Sequence, residues 1–131
     1  MANPKNISVM VVDDQKSMRD LTKFSLEQLG FKTISEAPDG AAAFEAVKQK
    51  PVDLIVSDYN MPNMDGLAFL RAVRSDPDLR KTPFIMVTGR GDKELVTKAA
   101  QAGVNNYVIK PFTVEILKKK LEAVVGHLEI P

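Results

Sequence analysis

Cysteine is absent from this 131-residue chain, and histidine occurs once. The first absence excludes disulfides and thiolate metal sites, and it suits a reducing compartment. The second leaves no imidazole cluster. His127 stands alone near the C-terminus, where it is expected to be solvated and can found no metal site. An excess of charge is also lacking: 18 Lys and Arg face 17 Asp and Glu, for a net charge of +1. That balance argues against a general nucleic-acid binder and against a polybasic membrane clamp. No apolar run approaches the roughly 20 residues that span a bilayer. The start "MANPKNISVMVV" has neither the length nor the flanks of a signal peptide. No repeat, low-complexity tract or linker interrupts the sequence. The expectation is one soluble cytoplasmic domain over residues 1–131, with residues 1–6 as a flexible lead-in and no membrane insertion.

What is present is an ordinary globular mixture, 44% hydrophobic and 27% charged. Four short apolar runs read as strands covered on both faces: "ISVMVV" (7–12), "DLIVS" (53–57), "PFIMVT" (83–88) and "NYVIK" (106–110). A fifth, "KTISEA" (32–37), alternates more and reads as an edge strand. Helical patterns fall between them, over 15–29, 39–49, 65–75, 92–102 and 113–128. Asp65 and Thr113 stand where N-caps belong. In the last helix Val114, Leu117, Leu121, Val124 and Leu128 share a face, and Ile116 widens it. Phe24 falls off the best apolar stripe of the first helix, so partial exposure is expected. The order is βα five times, which builds a parallel sheet between two helical layers with right-handed crossovers.

Ligands of such α/β sheets collect beyond the carboxyl ends of the strands. Asp13 and Asp14 follow the first strand, Asp58 the third, Thr88 and Gly89 the fourth, and Lys110 and Pro111 the fifth. If these strands are neighbours, three carboxylates, a hydroxyl and an ammonium share one pocket. Carboxylates that close repel unless a cation intervenes. Mg²⁺ takes oxygen ligands, keeps several waters and needs one or two carboxylates. Asp14 and Asp58 suit direct ligation, with Asp13 acting through water and a carbonyl just after Asp58 as a further ligand. The remaining groups suit phosphoryl transfer. Asp58 can attack phosphorus to give an acyl phosphate. Lys110 and Thr88 can meet the phosphoryl oxygens, and Gly89 lets backbone approach.

Each piece also has a plainer reading. A DD pair after a strand serves turns and helix caps. Thr88-Gly89 reads as a turn, and Lys110-Pro111 as a strand end. Lys118, Lys119 and Lys120 read as a solvated helix face, and the six Met residues as core and loop filler. The conjunction of polar groups at four strand ends is what outweighs these readings.

The set "VVDD", "SDYNMPNMDG", "MVTG" and "YVIKPF" resembles the receiver domains of bacterial two-component response regulators over essentially the whole chain. "NMPNMDG", "AAQAG" and "YVIKPFT" are similar to the stand-alone chemotaxis members in particular. The resemblance implies an α/β flavodoxin-like fold with strand order 2-1-3-4-5. It implies that Asp58 accepts a phosphoryl group from the phosphohistidine of a sensor histidine kinase. It further implies Mg²⁺ held by Asp14, Asp58 and the main-chain carbonyl of Asn60, with Asp13 nearby, and Lys110 and Thr88 on the phosphoryl group. The Lys110-Pro111 bond is expected to be cis. Thr88 drawn toward the phosphoryl group would vacate space for Tyr107 to rotate inward from an exposed rotamer. That remodels the face of helix four, strand five and helix five for an output protein, the flagellar motor switch by analogy.

Two positions depart from the best-known chemotaxis member, Arg90 in place of an acid and Tyr59 in place of another aromatic. Arg90 and Asn60 are thereby expected to set the phosphoryl lifetime, and a phosphatase partner is left open. A monomer that catalyses only its own phosphorylation and dephosphorylation is expected, with no output domain after the last helix. Alternatives are a phosphate sink or relay intermediate, a degenerate receiver used only for binding, and a Mg²⁺-dependent phosphohydrolase. The phosphohydrolase would want a second acid two residues past Asp58, where Asn60 stands.

Overall fold

A computed structural model describes residues 2–89 and 93–130. The strands are β1 (Ser8–Val12), β2 (Thr33–Ala37), β3 (Leu54–Asp58), β4 (Phe84–Thr88) and β5 (Asn106–Ile109). The helices are α1 (Lys16–Gln28), α2 (Gly40–Gln49), α3 (Gly66–Ser75), α4 (Lys93–Gln101) and α5 (Val114–Val125). All strand pairs are parallel, in the order β2-β1-β3-β4-β5. This is the flavodoxin-like arrangement expected.

Strand side chains alternate between two apolar layers, which is why the central strands are apolar throughout. Met10, Val12, Ile55, Phe84 and Met86 meet Ala43 and Val47 of α2 and Phe69, Leu70 and Val73 of α3. Val9, Val11, Leu54, Val56, Ile85 and Val87 meet Leu26 of α1 and Leu117 and Leu121 of α5 on the other face. Asp65 caps α3 by accepting the Ala68 N–H at 2.8 Å, and Thr113 caps α5 through the Ile116 N–H at 3.2 Å, as the sequence leads one to expect.

Several expectations are corrected. β5 is an edge strand, so of its four residues only Val108 is buried. α5 ends at Val125, because Gly126 takes a φ of 93°, which favours glycine. Leu128, beyond the helix, is buried all the same, held by its N–H to Glu122 Oε2 at 2.9 Å. Ile116 is 45% exposed and does not widen the buried stripe. Leu21 and Phe24 stand exposed on α1, Phe24 as expected. Pro4–Asn6 form a 3-10 turn, and Ala2 pairs with the chain around Leu128 through its N–H to His127 O and its carbonyl from Glu129 N–H. His127 is exposed, with Nδ1 3.0 Å from Glu122 Oε2. Among the described residues, no helix is long and apolar enough to cross a membrane.

Candidate functional site

The strand order sets β1 beside β3 and β3 beside β4, so their carboxyl ends open on one cleft. Its volume is about 240 Å³, and Asp14, Gln15, Asp58, Tyr59, Asn60, Thr88, Gly89 and Lys110 line it. Asp58 is the last residue of β3, 4% exposed, and opposite Val87 of β4. The Tyr59 N–H donates to Val87 O at 2.9 Å, which fixes the chain direction just past the acid. Asp13 lies under the cleft, 5% exposed, with one carboxylate oxygen accepting the Gln15 N–H at 2.9 Å. Asp14 is exposed and lines the cleft.

One carboxylate oxygen from each of Asp13, Asp14 and Asp58 lies within 4.8 Å of the others. The Lys110 ammonium is 3.1 Å from Asp58 Oδ1 and 3.8 Å from Asp13 Oδ2. Lys110 follows β5, and its N–H donates to Thr88 O at 2.8 Å, so the ends of β4 and β5 stay together. The Lys110-Pro111 bond is cis, as expected. Thr88 is 4% exposed and lies at the wall of the same cleft.

Burial pushes the Asp58 carboxyl above its ordinary range, the Lys110 hydrogen bond draws it back, and the Asp13 charge raises it again. Asp13 is raised as well, by burial first, with the Gln15 N–H and Lys110 opposing and Asp14 adding to the rise. Among the described residues, the Lys110 ammonium pairs with two acids of a cluster of three. A divalent cation with oxygen ligands would supply the missing charge, and this all-oxygen donor set fits Mg²⁺ better than a softer metal. Asn60 is exposed and lines the cleft two residues after Asp58.

The structure corrects two local expectations. Tyr107 is half-buried against the α2–α3 side of the core rather than exposed, and the Lys120 ammonium lies 4.7 Å from its ring centroid. Lys118 and Lys120 are accordingly half-buried, leaving Lys119 as the exposed member of the trio. A Cβ at Gly89 would meet no described atom within 4 Å. Arg90, expected to tune the phosphoryl lifetime, lies outside the described residues.

Sequence reasoning missed two groups. Gln15 lines the cleft and braces Asp13, and its only signal was its place after the DD pair. Arg19 donates to the Asp13 carbonyl at 2.7 Å while bonding Glu36 at 2.9 Å. One turn into a helix, it carried no local signal.

The family model of the response regulator receiver domain matches residues 9–122. A "probable chemotaxis protein CheY" of Rhizobium etli is 46% identical over 129 residues, which cover 98% of this chain and 100% of that protein. The crystal structure of chemotaxis protein CheY4 of Vibrio cholerae, 33% identical, matches with a TM-score of 0.82 over 95% of this chain and 98% of that one. The receiver domain of a sensor histidine kinase from Pseudomonas aeruginosa, 26% identical, matches with a TM-score of 0.83 over 92% of this chain and 98% of that one. That structure has a magnesium ion coordinated in its active-site cleft. Fold, acid cluster and sequence agree, and the chain belongs to the response regulator receiver domain family, with chemotaxis proteins among its relatives.

Proposed function

We propose that Asp58 is the phosphoacceptor of a signalling switch and that a sensor histidine kinase is its donor. The observation that carries this reading is the Lys110 ammonium 3.1 Å from Asp58, in a cleft where Asp13 and Asp14 bring their oxygens within 4.8 Å. A buried carboxylate at a strand end is a costly element unless its charge is used. Here one Asp58 oxygen would attack phosphorus, while the phosphorus–nitrogen bond of the donor histidine breaks and its imidazole leaves with the electron pair. Lys110 would follow the charge from the carboxylate to a phosphoryl oxygen, and the Thr88 hydroxyl would donate to another. Asp14, Asp58 and the Asn60 carbonyl would hold Mg²⁺, with Asp13 acting through water. When bound, the ion supplies positive charge to the phosphoryl oxygens.

The output surface in this reading is the face of α4, β5 and α5. Ile109 and Ile116 are 42% and 45% exposed there, an apolar presence that a docking partner can cover. Tyr107 on β5 links that face to the cleft, because its neighbour across the sheet, Met86, lies two residues before Thr88. The flagellar motor switch is the proposed partner, supported by the chemotaxis relatives. A cytoplasmic, monomeric protein belongs to the same reading, with Asn60 and Arg90 setting the phosphoryl lifetime and any phosphatase acting at the cleft mouth.

The test is intact mass after incubation with Mg²⁺ and acetyl phosphate. One added phosphoryl group is expected on the unaltered protein and none on Asp58→Asn. Labelling that survives Asp58→Asn would move the acceptor elsewhere and end this reading. Affinity for a motor-switch peptide, measured with and without phosphorylation, separates motor output from a phosphate sink.

A further inference from the structure

The end of β2 and the turn that follows it contribute no residue to the cleft lining, yet they bond to Asp13 and to the loop after Asp58. Ala37 O accepts the Asp13 N–H at 3.2 Å. Two residues later comes Asp39, 9% exposed, whose carboxylate has two separate uses. Oδ1 accepts the Ala42 N–H at 2.8 Å and so caps α2. Oδ2 accepts from Asn63 Nδ2 at 2.9 Å. The next residue, Gly40, donates its N–H to Met64 O at 3.0 Å.

Asn63 and Met64 belong to the loop between β3 and α3, which leaves Asp58 through Tyr59 and Asn60. The base of this loop is closed by the Gly66 N–H to Tyr59 O at 2.8 Å. Its tip turns at Asn63, whose φ of 65° lies in the left-handed region that asparagine tolerates better than most residues. The tip has little room to shift toward α2. A Cβ at Gly40 would sit 2.7 Å from Met64 O and 2.9 Å from Phe69 Cβ. The Ala42 N–H and then Asn63 hold the Asp39 carboxyl below its ordinary range, so at neutral pH it accepts as a charged group.

We propose that Asp39 is a positioning residue for the cation site. Through Asn63 it holds the β3–α3 loop, and with it Asn60, in register with the Asp13-Asp14 segment. The inference rests on the reading of Asp58 and the acid cluster given above. It assigns to the turn after β2, none of whose residues line the cleft, the task of setting the spacing of two segments that do.

Cap and tether use different oxygens, so they can be separated. Asp39→Ser retains a capping hydroxyl and loses the bond to Asn63. Asn63→Gly keeps the positive φ and removes the donor. The exchange Asp39→Asn with Asn63→Asp restores the pair with donor and acceptor reversed, and asparagine caps as well as aspartate. Thr113→Ala deletes a helix cap with no link to the loop. Each full-length protein would be titrated with Mg²⁺ by calorimetry, and amide hydrogen exchange followed over residues 59–65.

Both single variants are expected to bind Mg²⁺ about tenfold more weakly, as loss of a supporting partner does at metal sites. Their Asn60–Met64 amides should exchange faster. Phosphorylation by acetyl phosphate should slow at limiting Mg²⁺ and recover at saturation. The exchanged pair should regain the original affinity, and Thr113→Ala should lower the melting temperature with affinity unchanged. Unaltered affinity in both Asp39→Ser and Asn63→Gly would overturn the proposal, as would an equal loss in Thr113→Ala. No Mg²⁺ binding by the unaltered protein would instead overturn the functional reading itself.

Discussion

Removing Lys110 tests whether its ammonium is what lets two buried acids share the cleft. In Lys110→Met a side chain of similar length replaces the one that sits 3.1 Å from Asp58 and 3.8 Å from Asp13. Breaking a buried pair costs about 3–5 kcal/mol, because the surviving charge is left without compensation. The Lys110 side chain is 22% exposed and Asp58 5%, so solvent screens part of the loss and about 2–3 kcal/mol is the expected figure. For a chain of 131 residues, an unfolding entropy near 2.1 cal/mol/K per residue turns that into a fall of about 7–11 °C in melting temperature. The assay is thermal unfolding in EDTA. The sign of its pH dependence follows from Asp58, whose folded pKa is already raised by burial. Losing Lys110 raises it further. An acid with a raised folded pKa binds its proton more readily folded than unfolded. The deficit is therefore full above the variant's folded pKa and fades as pH falls through it. It should be largest near pH 8 and shrink toward pH 5. Adding Asn at position 58 removes the stranded charge, so Asp58→Asn with Lys110→Met should lose clearly less than the two single losses predict. A single variant that melts with the unaltered protein in EDTA at pH 8 would refute the reasoning. So would a double variant whose losses simply add.

Two further outcomes are expected. Arg74 spreads one guanidinium over four acceptors: Gly103 O at 3.0 Å, Arg80 O at 3.1 Å, Thr82 O at 2.7 Å and Asn105 Oδ1 at 2.9 Å. Arg74→Ala should cost about 2–4 kcal/mol in denaturant unfolding with Asp58 phosphorylation at the original rate, and Arg74→Lys should recover less than half of it. A phosphorylation defect in a still-folded Arg74→Ala would show that this node is coupled to the cleft. A Cβ at Gly66 would lie 2.3 Å from Asp58 O and 2.9 Å from Tyr59 Cα. Gly66→Ala should therefore cost about 3 kcal/mol and slow phosphorylation by displacing backbone next to the acceptor, and a normal rate would sink that link.

The elements were legible because the central strands are apolar on both faces, a pattern that surface strands do not share. The same reasoning misread β5, where position at the sheet edge decides burial and "NYVI" does not announce it. The convergence of Asp13, Asp14, Asp58, Thr88 and Lys110 was legible because α/β topology makes each strand end a meeting point. Asp39 was not, since its local signal is that of a helix cap and its second bond crosses to a loop 24 residues away. Arg19 was hidden for the same reason, its partners Asp13 O and Glu36 being brought together only by the pairing of β1 with β2. Tyr107 and Lys120 were assigned separately, and only the packing of α5 on β5 puts the ammonium over the ring.

Charge counting in the cleft connects stability to signalling. Among the described residues, Asp13, Asp14 and Asp58 when ionised contribute three negative charges and Lys110 one positive, a balance of minus two. A divalent cation would bring it to zero. Phosphorylating Asp58 replaces one negative charge with about two, so the balanced site moves by about one charge. On the proposed reading the added charge would lie on oxygens beyond the carboxylate, in the cleft whose lining includes Thr88. In a site balanced beforehand that increment would meet little net repulsion, whereas in an unbalanced one it would add to the repulsion among the acids. On that proposal, a cation that first offsets the three acids would leave a single phosphoryl group free to act on the β4–β5 end of the sheet.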